Sequence, residues 1–237
     1  ARLEEANVEV QSFGASGSPL QNDGTLDDSD WLPAVQIVNE LTENQNLRFA
    51  YSKTVARPNF RELSPFGSFD NVGGEVFIGN PELQRTKIEN LDLRYEWFME
   101  GSDLLAVSVF HKTLENPIEQ AYVEGQLSFL NVDEGKVSGI ELEARKQVAF
   151  LSGENNDVSV GGNFSMIESE VDRTDVELAD KRLRNPDVPL VRELQGQSSV
   201  IGNIDIFWSR PEQGSSYSLV YSRPGERLYS VTTDALP

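Results

Sequence analysis

The chain contains no cysteine, one histidine and two methionines in 237 residues. Without cysteine there can be neither a disulfide nor a thiolate metal site. With His111 alone, imidazole-based zinc sites and Ser-His-Asp chemistry lack their parts, and no serine-bearing motif stands near it, so His111 is read as structural. No run approaches the roughly 18 apolar residues that a membrane-crossing helix needs. Bases are scarce: 20 Lys and Arg against 39 Asp and Glu leave a net charge of −19, which excludes nucleic acid as a partner. Asp23-Gly24 with Asp27, Asp28 and Asp30 misses the spacing and terminal Glu of a calcium loop, and the run from Asp172 to Glu177 is interrupted by Arg173. No glycine pattern precedes a helix as a phosphate cradle does. The reading is therefore of a protein that is not an enzyme, with no catalytic, metal or cofactor-binding residue.

What is present is a rhythm of alternating apolar and polar residues. Strands are expected near residues 2–12, 34–42, 46–56, 87–99, 104–114, 136–149, 157–170, 198–209 and 216–224, with a tenth at Leu228–Thr232. The joins alternate. Short ones fall at Glu43-Asn44-Gln45, at Glu100-Gly101-Ser102, around Ser152-Gly153-Glu154 and at Pro211-Glu212-Gln213-Gly214. The others run to roughly twenty to thirty residues, far beyond hairpin length. Most strands exceed the usual 5–6 residues and suit a tilted bilayer crossing of about 9–11. The fold class is thus all-β, an antiparallel up-and-down transmembrane β-barrel present in part, and the localisation is the bacterial outer membrane. A mean hydropathy of −0.41 does not oppose this, because only alternate barrel residues face lipid.

Period two sorts the strands into two faces. Leu47, Phe49, Tyr51 and Val55 share one face of a strand, as do Leu91, Leu93, Tyr95 and Trp97 of the next and Ile140, Leu142 and Ala144 of a later one. The opposite face holds Asp92, Arg94 and Glu96, then Glu141, Glu143 and Arg145, which are expected to face a hydrated lumen, where such charge density escapes the penalty of burial. Trp97, Trp208 and Phe150 lie where strands meet short turns and Trp31 at the other rim, as membrane-interface aromatics do. Acids crowd two long joins, Asp23, Asp27, Asp28 and Asp30 in one and Glu115, Glu119, Glu124, Asp133 and Glu134 in another. They are read as solvated loop charges, with divalent-cation bridging as the sharper alternative. Candidate ligand contacts in the two longest loops, 57–85 and 171–197, are Arg57, Arg61, Phe66, Phe69, Lys181 and Arg184.

Several stretches are familiar: Leu47 to Pro65 (LRFAYSKTVARPNFRELSP), Gly79-Asn80-Pro81-Glu82-Leu83, Asn90 to Trp97, Val137 to Glu143, and Leu194 to Ser198. From about Leu32 onward the chain resembles the C-terminal part of the barrel of TonB-dependent outer-membrane receptors. The resemblance implies a barrel of about 22 strands around an N-terminal plug, so residues 1–237 are expected to be one partial barrel domain without plug or final strands. The start, Ala1-Arg2-Leu3-Glu4-Glu5, lacks the features of an export signal, which also points to an excerpt. The implied function is energy-coupled uptake of a scarce nutrient, namely a ferric siderophore, haem, a vitamin or an oligosaccharide. The implied partners are outer-membrane lipid, that small-molecule or glycan cargo, and the TonB complex acting through the parent's missing N-terminal region. The alternatives are a passive porin-like or adhesin barrel and a soluble β-sandwich binding module; the last requires Leu93, Tyr95 and Trp97 to be buried in protein.

Overall fold

The computed structural model describes residues 1–10, 24–69, 76–123, 126–153 and 155–232. β1 (Arg2–Val10) and β2 (Gly24–Leu32) form an antiparallel hairpin. Across Pro33 the chain continues as β3 (Ala34–Thr42), which pairs with β4 (Gln45–Ala56). Then come helix α1 (Phe60–Leu63), β5 (Gly67–Phe69) and β6 (Val76–Ile78), and the long strands β7 (Thr86–Phe98) and β8 (Leu104–Glu115). A hairpin of β9 (Ile118–Val123) and β10 (Gln126–Asn131) precedes β11 (Glu134–Gln147) and β12 (Asp157–Asp172). Helix α2 (Asp175–Arg184), β13 (Val191–Arg192), β14 (Val200–Arg210), β15 (Ser215–Pro224) and β16 (Val231–Thr232) complete the described residues.

The long strands pair in chain order, β3-β4-β7-β8-β11-β12-β14-β15, each antiparallel to the next. Turns at one end are tight: Gly101 (φ 73°) and Gly214 (φ 60°) hold left-handed conformations that side chains disfavour. At the opposite end, the long connections fold into a second sheet, in the order β16-β9-β10-β6-β5. There β6 and β10 pair in parallel, as do β16 and β9, so connections from different hairpins are knitted together. The tightly packed core sits in this loop layer, around Leu63, Phe77, Leu83, Ala121, Leu127, Val132 and Val231.

Register makes the main sheet two-faced. Ile37, Phe49, Leu93, Val109, Ile140, Met166 and Val200 are successive partners in one apolar row. On the opposite face, Asn46, Glu96, Ala106, Glu143, Asn163, Asn203 and Ser222 form a row in the same way. The apolar row is covered by no second layer among the described residues: Leu93 is 42% and Trp97 37% exposed. That overturns the β-sandwich alternative and leaves an apolar expanse far larger than a water-soluble surface carries. No described helix is long and apolar enough to cross a membrane.

The nine strand expectations hold within about two residues over the described residues. The differences are at the ends. Of the strand expected at 2–12, Arg2–Val10 is β1, residues 11–12 lie outside the described residues, and the strand joins β2 rather than the meander. The join after it contains a strand, because Asp28 and Asp30, read as solvated charges, find arginine partners. The tenth strand at Leu228–Thr232 is only Val231–Thr232, and it lies in the loop sheet parallel to β9.

Candidate functional site: the folded loops and the polar face

α1 begins with a reciprocal cap. Asn59 Oδ1 accepts the backbone N–H groups of Arg61 (2.9 Å) and Glu62 (3.0 Å), while Glu62 Oε2 accepts the Asn59 N–H (2.9 Å). The helix end receives the Gly79-Asn80-Pro81 turn: the Asn80 N–H donates to the Glu62 carbonyl at 2.6 Å, and Asn80 Nδ2 donates to the Phe129 carbonyl of β10 at 3.1 Å. Beside it, the Arg61 guanidinium lies 4.5 Å from the Phe77 ring centroid, and Phe77 meets Phe129 edge-on at 5.5 Å. Two of the recognised motifs are thus the mortar of one loop.

Two ion networks lock the other connections. In the first, Arg57 bonds Glu4 (2.7 Å) and Asp30 (3.0 Å), while Arg85 bonds Asp30 (2.8 Å) and Asp28. The Arg57 hydrogen bond holds the Glu4 carboxyl below its ordinary pKa. In the second, Arg192 bridges Glu119 of the β9–β10 hairpin (2.6 Å) and Glu177 of α2 (3.1 Å), and Arg173 also bonds Glu177. Glu119 and Glu177 are buried, so the network persists only because each charge is paired. Gln195 adds a clasp, its N–H donating to Glu119 at 2.9 Å and its Oε1 accepting from the Gln120 N–H at 2.6 Å.

The six proposed ligand contacts do not converge. Arg57 is engaged by Glu4 and Asp30, and Arg61 is stacked on Phe77 at the β6 side of the loop sheet. Phe66 is 39% exposed; Phe69 belongs to β5, and its side chain lies outside the described residues. Lys181 and Arg184 are on α2. Lys181 lines a 410 Å³ pocket with Arg173, Glu177, Arg192 and Ser230, beside Val231 of β16 and at the opposite side of the loop sheet from Arg61. Of the acids read as solvated, Asp28, Asp30 and Glu119 are in fact held in shielded ion pairs, Glu115 and Glu134 pair with Lys87 and Lys136 while staying exposed, and Asp23 and Glu124 lie outside the described residues. The residues that reading missed are Arg173, Glu177 and Arg192. One signal was available: Thr174 stands three residues before Glu177 and accepts its N–H (3.3 Å), the mark of a helix start, ahead of Lys181, Arg182 and Arg184 in the last turn.

On the polar face, Asp92, Arg94, Glu96, Glu141, Glu143 and Arg145 occupy one side of β7 and β11. Arg94 is the centre of a ladder: it bonds Glu96 (2.9 Å), Glu143 (2.6 Å) and Ser108 Oγ (3.1 Å), and Arg48 takes the other Glu96 oxygen at 2.6 Å. Trp97, Trp208 and Phe150 are at the tight-turn end, with Trp208 stacked on Tyr217 at 5.2 Å; Trp31 is at the loop end, 67% exposed. His111, on the apolar face of β8, lies 2.7 Å from Ser138 Oγ through Nδ1. Among the described residues, no group of His, Asp and Glu could hold a metal.

No curated protein sequence matches the chain. Among solved structures it is similar to the siderophore receptor PirA from Pseudomonas aeruginosa (15% identity, TM-score 0.50), over 84% of this chain and 32% of that one. It is also similar to a variant of the ferric enterobactin receptor PfeA from the same organism in complex with enterobactin (16% identity, TM-score 0.50), over 86% and 29%. The chain therefore spans about a third of the length of these receptors, and at such identity the likeness speaks for the fold. The family described as TonB dependent receptor-like, beta-barrel matches residues 1–235, and the chain belongs to that family.

Proposed function

We propose that this chain forms part of the barrel of an energy-coupled outer-membrane receptor that captures a scarce nutrient, with a ferric siderophore as the leading cargo class. The observation that carries the reading is the two-faced meander: an uncovered apolar row on one side, a hydrated Arg–Glu ladder on the other. In a barrel the first face meets lipid and the second lines the lumen, with the tight turns on the periplasmic side and the knitted loops outside. The wider protein then supplies a plug and the segment through which TonB transmits energy, and residues 1–237 are one partial barrel domain. The aromatics at both ends, Trp31, Trp97, Phe150 and Trp208, sit at the two interfaces of the bilayer. Cargo contacts fall to the groups left accessible in the loop layer, Phe66, Lys181 and Arg184, while Arg57 and Arg61 support that surface. The family match favours a receptor over a passive porin or adhesin.

The test uses the full-length parent in its own cell. Outer-membrane fractionation with heat-modifiable gel mobility reads the barrel, and uptake of a labelled ferric siderophore with and without TonB reads the coupling. Uptake that vanishes without TonB is expected; uptake indifferent to TonB would refute energy coupling.

A further inference from the structure

We propose that the β1–β2 hairpin is a flap on the outer loops, latched shut by Arg57 and Arg85 and released by salt. The proposal goes beyond the uptake reading and needs only the folded loop layer. The hairpin is a two-stranded sheet of its own, and among the described residues no backbone hydrogen bond ties it to either larger sheet. β2 passes into the wall strand β3 at Pro33, whose carbonyl accepts the Lys53 N–H at 2.9 Å. Proline has no N–H with which to extend that ladder upward, so wall pairing stops there. Leu26 is the one apolar side chain that the hairpin buries among its described residues. A lone two-stranded hairpin with so little apolar anchorage is marginal by itself, and what holds it in place is charge.

β1 and β2 carry six acids, Glu4, Glu5, Glu9, Asp27, Asp28 and Asp30, against Arg2 alone. Glu4 and Asp30 are direct cross-strand partners, a like-charge pairing that destabilises a hairpin. Arg57 relieves it by bonding both, Glu4 at 2.7 Å and Asp30 at 3.0 Å, while Arg85 takes the other Asp30 oxygen at 2.8 Å together with Asp28. Arg2 also reaches Glu4, at 3.1 Å, but it is exposed and moves with the hairpin. The two latch arginines belong to the wall instead, Arg57 directly after β4 and Arg85 directly before β7. Closure leaves two groups unsatisfied: Asp28 Oδ2 and Arg57 Nε are buried without a hydrogen-bond partner among the described residues, which offsets part of what the ion pairs contribute. The closed and open forms are thereby brought near in free energy, as a switch requires. Salt favours the open one, because it screens the acid–acid repulsion that a hairpin without its arginines suffers. Between the hairpin and the turn at 81–85 lies a 360 Å³ cleft lined by Leu26, Asp28, Leu83 and Arg85. Opening widens this cleft and turns two guanidinium groups toward the medium.

The full-length parent receptor in nanodiscs tests this, with nitroxide labels on Ser29→Cys of β2 and Glu82→Cys of the turn, both exposed positions, and the label separation read by double electron–electron resonance. One short distance should dominate in about 0.1 M NaCl, and a second, longer one should grow about fivefold in share in about 1 M NaCl. Arg57→Gln should populate the longer distance already at the lower salt. Lys53→Gln, which breaks the Lys53–Glu89 pair of the wall instead, should leave both distances as in the wild type. A single distance indifferent to salt and to Arg57→Gln, in a receptor that keeps its heat-modifiable mobility, would overturn the proposal and make the hairpin a fixed buttress. So would an equal salt response in the wild type and in a receptor carrying both Arg57→Gln and Arg85→Gln, which takes the arginines out of the latch. Should the variants fail to fold, the wild-type salt series alone decides: no second distance, no flap.

Discussion

Gly79 shows how little room the loop layer leaves. A β-carbon there would collide with the carbonyl oxygens of Arg61 and Ser64 and lie 2.6 Å from that of Glu62, so the turn rests directly on the end of α1. Gly79→Ala should cost about 1–3 kcal/mol by overpacking, and, since backbone rather than a side-chain tip is in the way, the strain falls on the turn itself. The expected outcome is faster proteolysis within 57–85 with unchanged heat-modifiability of the full receptor. Gly139 answers to a different neighbour: a β-carbon would lie 2.6 Å from the Phe110 ring, which covers it on the polar face. That explains the glycine in the Val137-Ser138-Gly139-Ile140 motif as the floor beneath an aromatic ring. Arg94 is the residue on which the ladder depends. Arg94→Met should destabilise the barrel by about 2 kcal/mol, the scale of a hydrogen bond to a charged group, read as a lower urea midpoint.

At the scale of elements, the tie between the β7–β8 turn and the end of β11 is acid-sensitive. Lys146 donates to Asp103, and the Gln147 N–H adds a bond at 2.7 Å; together they hold the Asp103 carboxyl below its ordinary pKa of 3.8. A depressed folded pKa contributes stability that is complete above 3.8 and is lost as pH falls below it. The urea midpoints of wild type and Asp103→Asn should therefore differ at pH 7, and the gap should narrow as the pH falls below 3.8; an unchanging gap would rule the tie out. For the buried network, Arg192→Met leaves Glu119 without its ion-pair partner and should loosen the α2 loop by about 3–5 kcal/mol, seen as faster hydrogen exchange across 118–123 and 175–184. The long strands were legible because alternation over many residues is a strong signal and each short turn punctuates it. β2 was not, because Asp28 and Asp30 read as solvated until Arg57 and Arg85, remote in the chain, reach them; nor was α2, whose buried Glu177 is held by Arg192 from beyond the helix. The polar face was legible for the same reason as the strands. The fate of the loop cations was not: whether Arg57 is free or spent depends on Glu4 and Asp30, and no local pattern records that.

Across the whole molecule, two layers meet with different physics. The main sheet keeps its large apolar side chains outside, and the loop sheet keeps them within. β15 ends the described meander with its far edge unpaired and Leu219 69% exposed. The isolated 237-residue chain should therefore self-associate in detergent-free buffer, and a monodisperse monomer in light scattering would contradict the membrane reading.

The parallel seams of the loop sheet carry a kinetic consequence. Phe77 pairs with Leu127, and Val231 with Ala121, so each seam closes a large circuit of chain, whereas every pair in the meander joins neighbours already brought together by the strand before it. Contacts of long sequence separation form late. The barrel wall can zip up hairpin by hairpin, and the outer layer then sets as a separate, slower event. A receptor caught between the two would already withstand the heat-shift test while its outer surface is still unmade, so stability of the wall is no proxy for readiness to capture cargo.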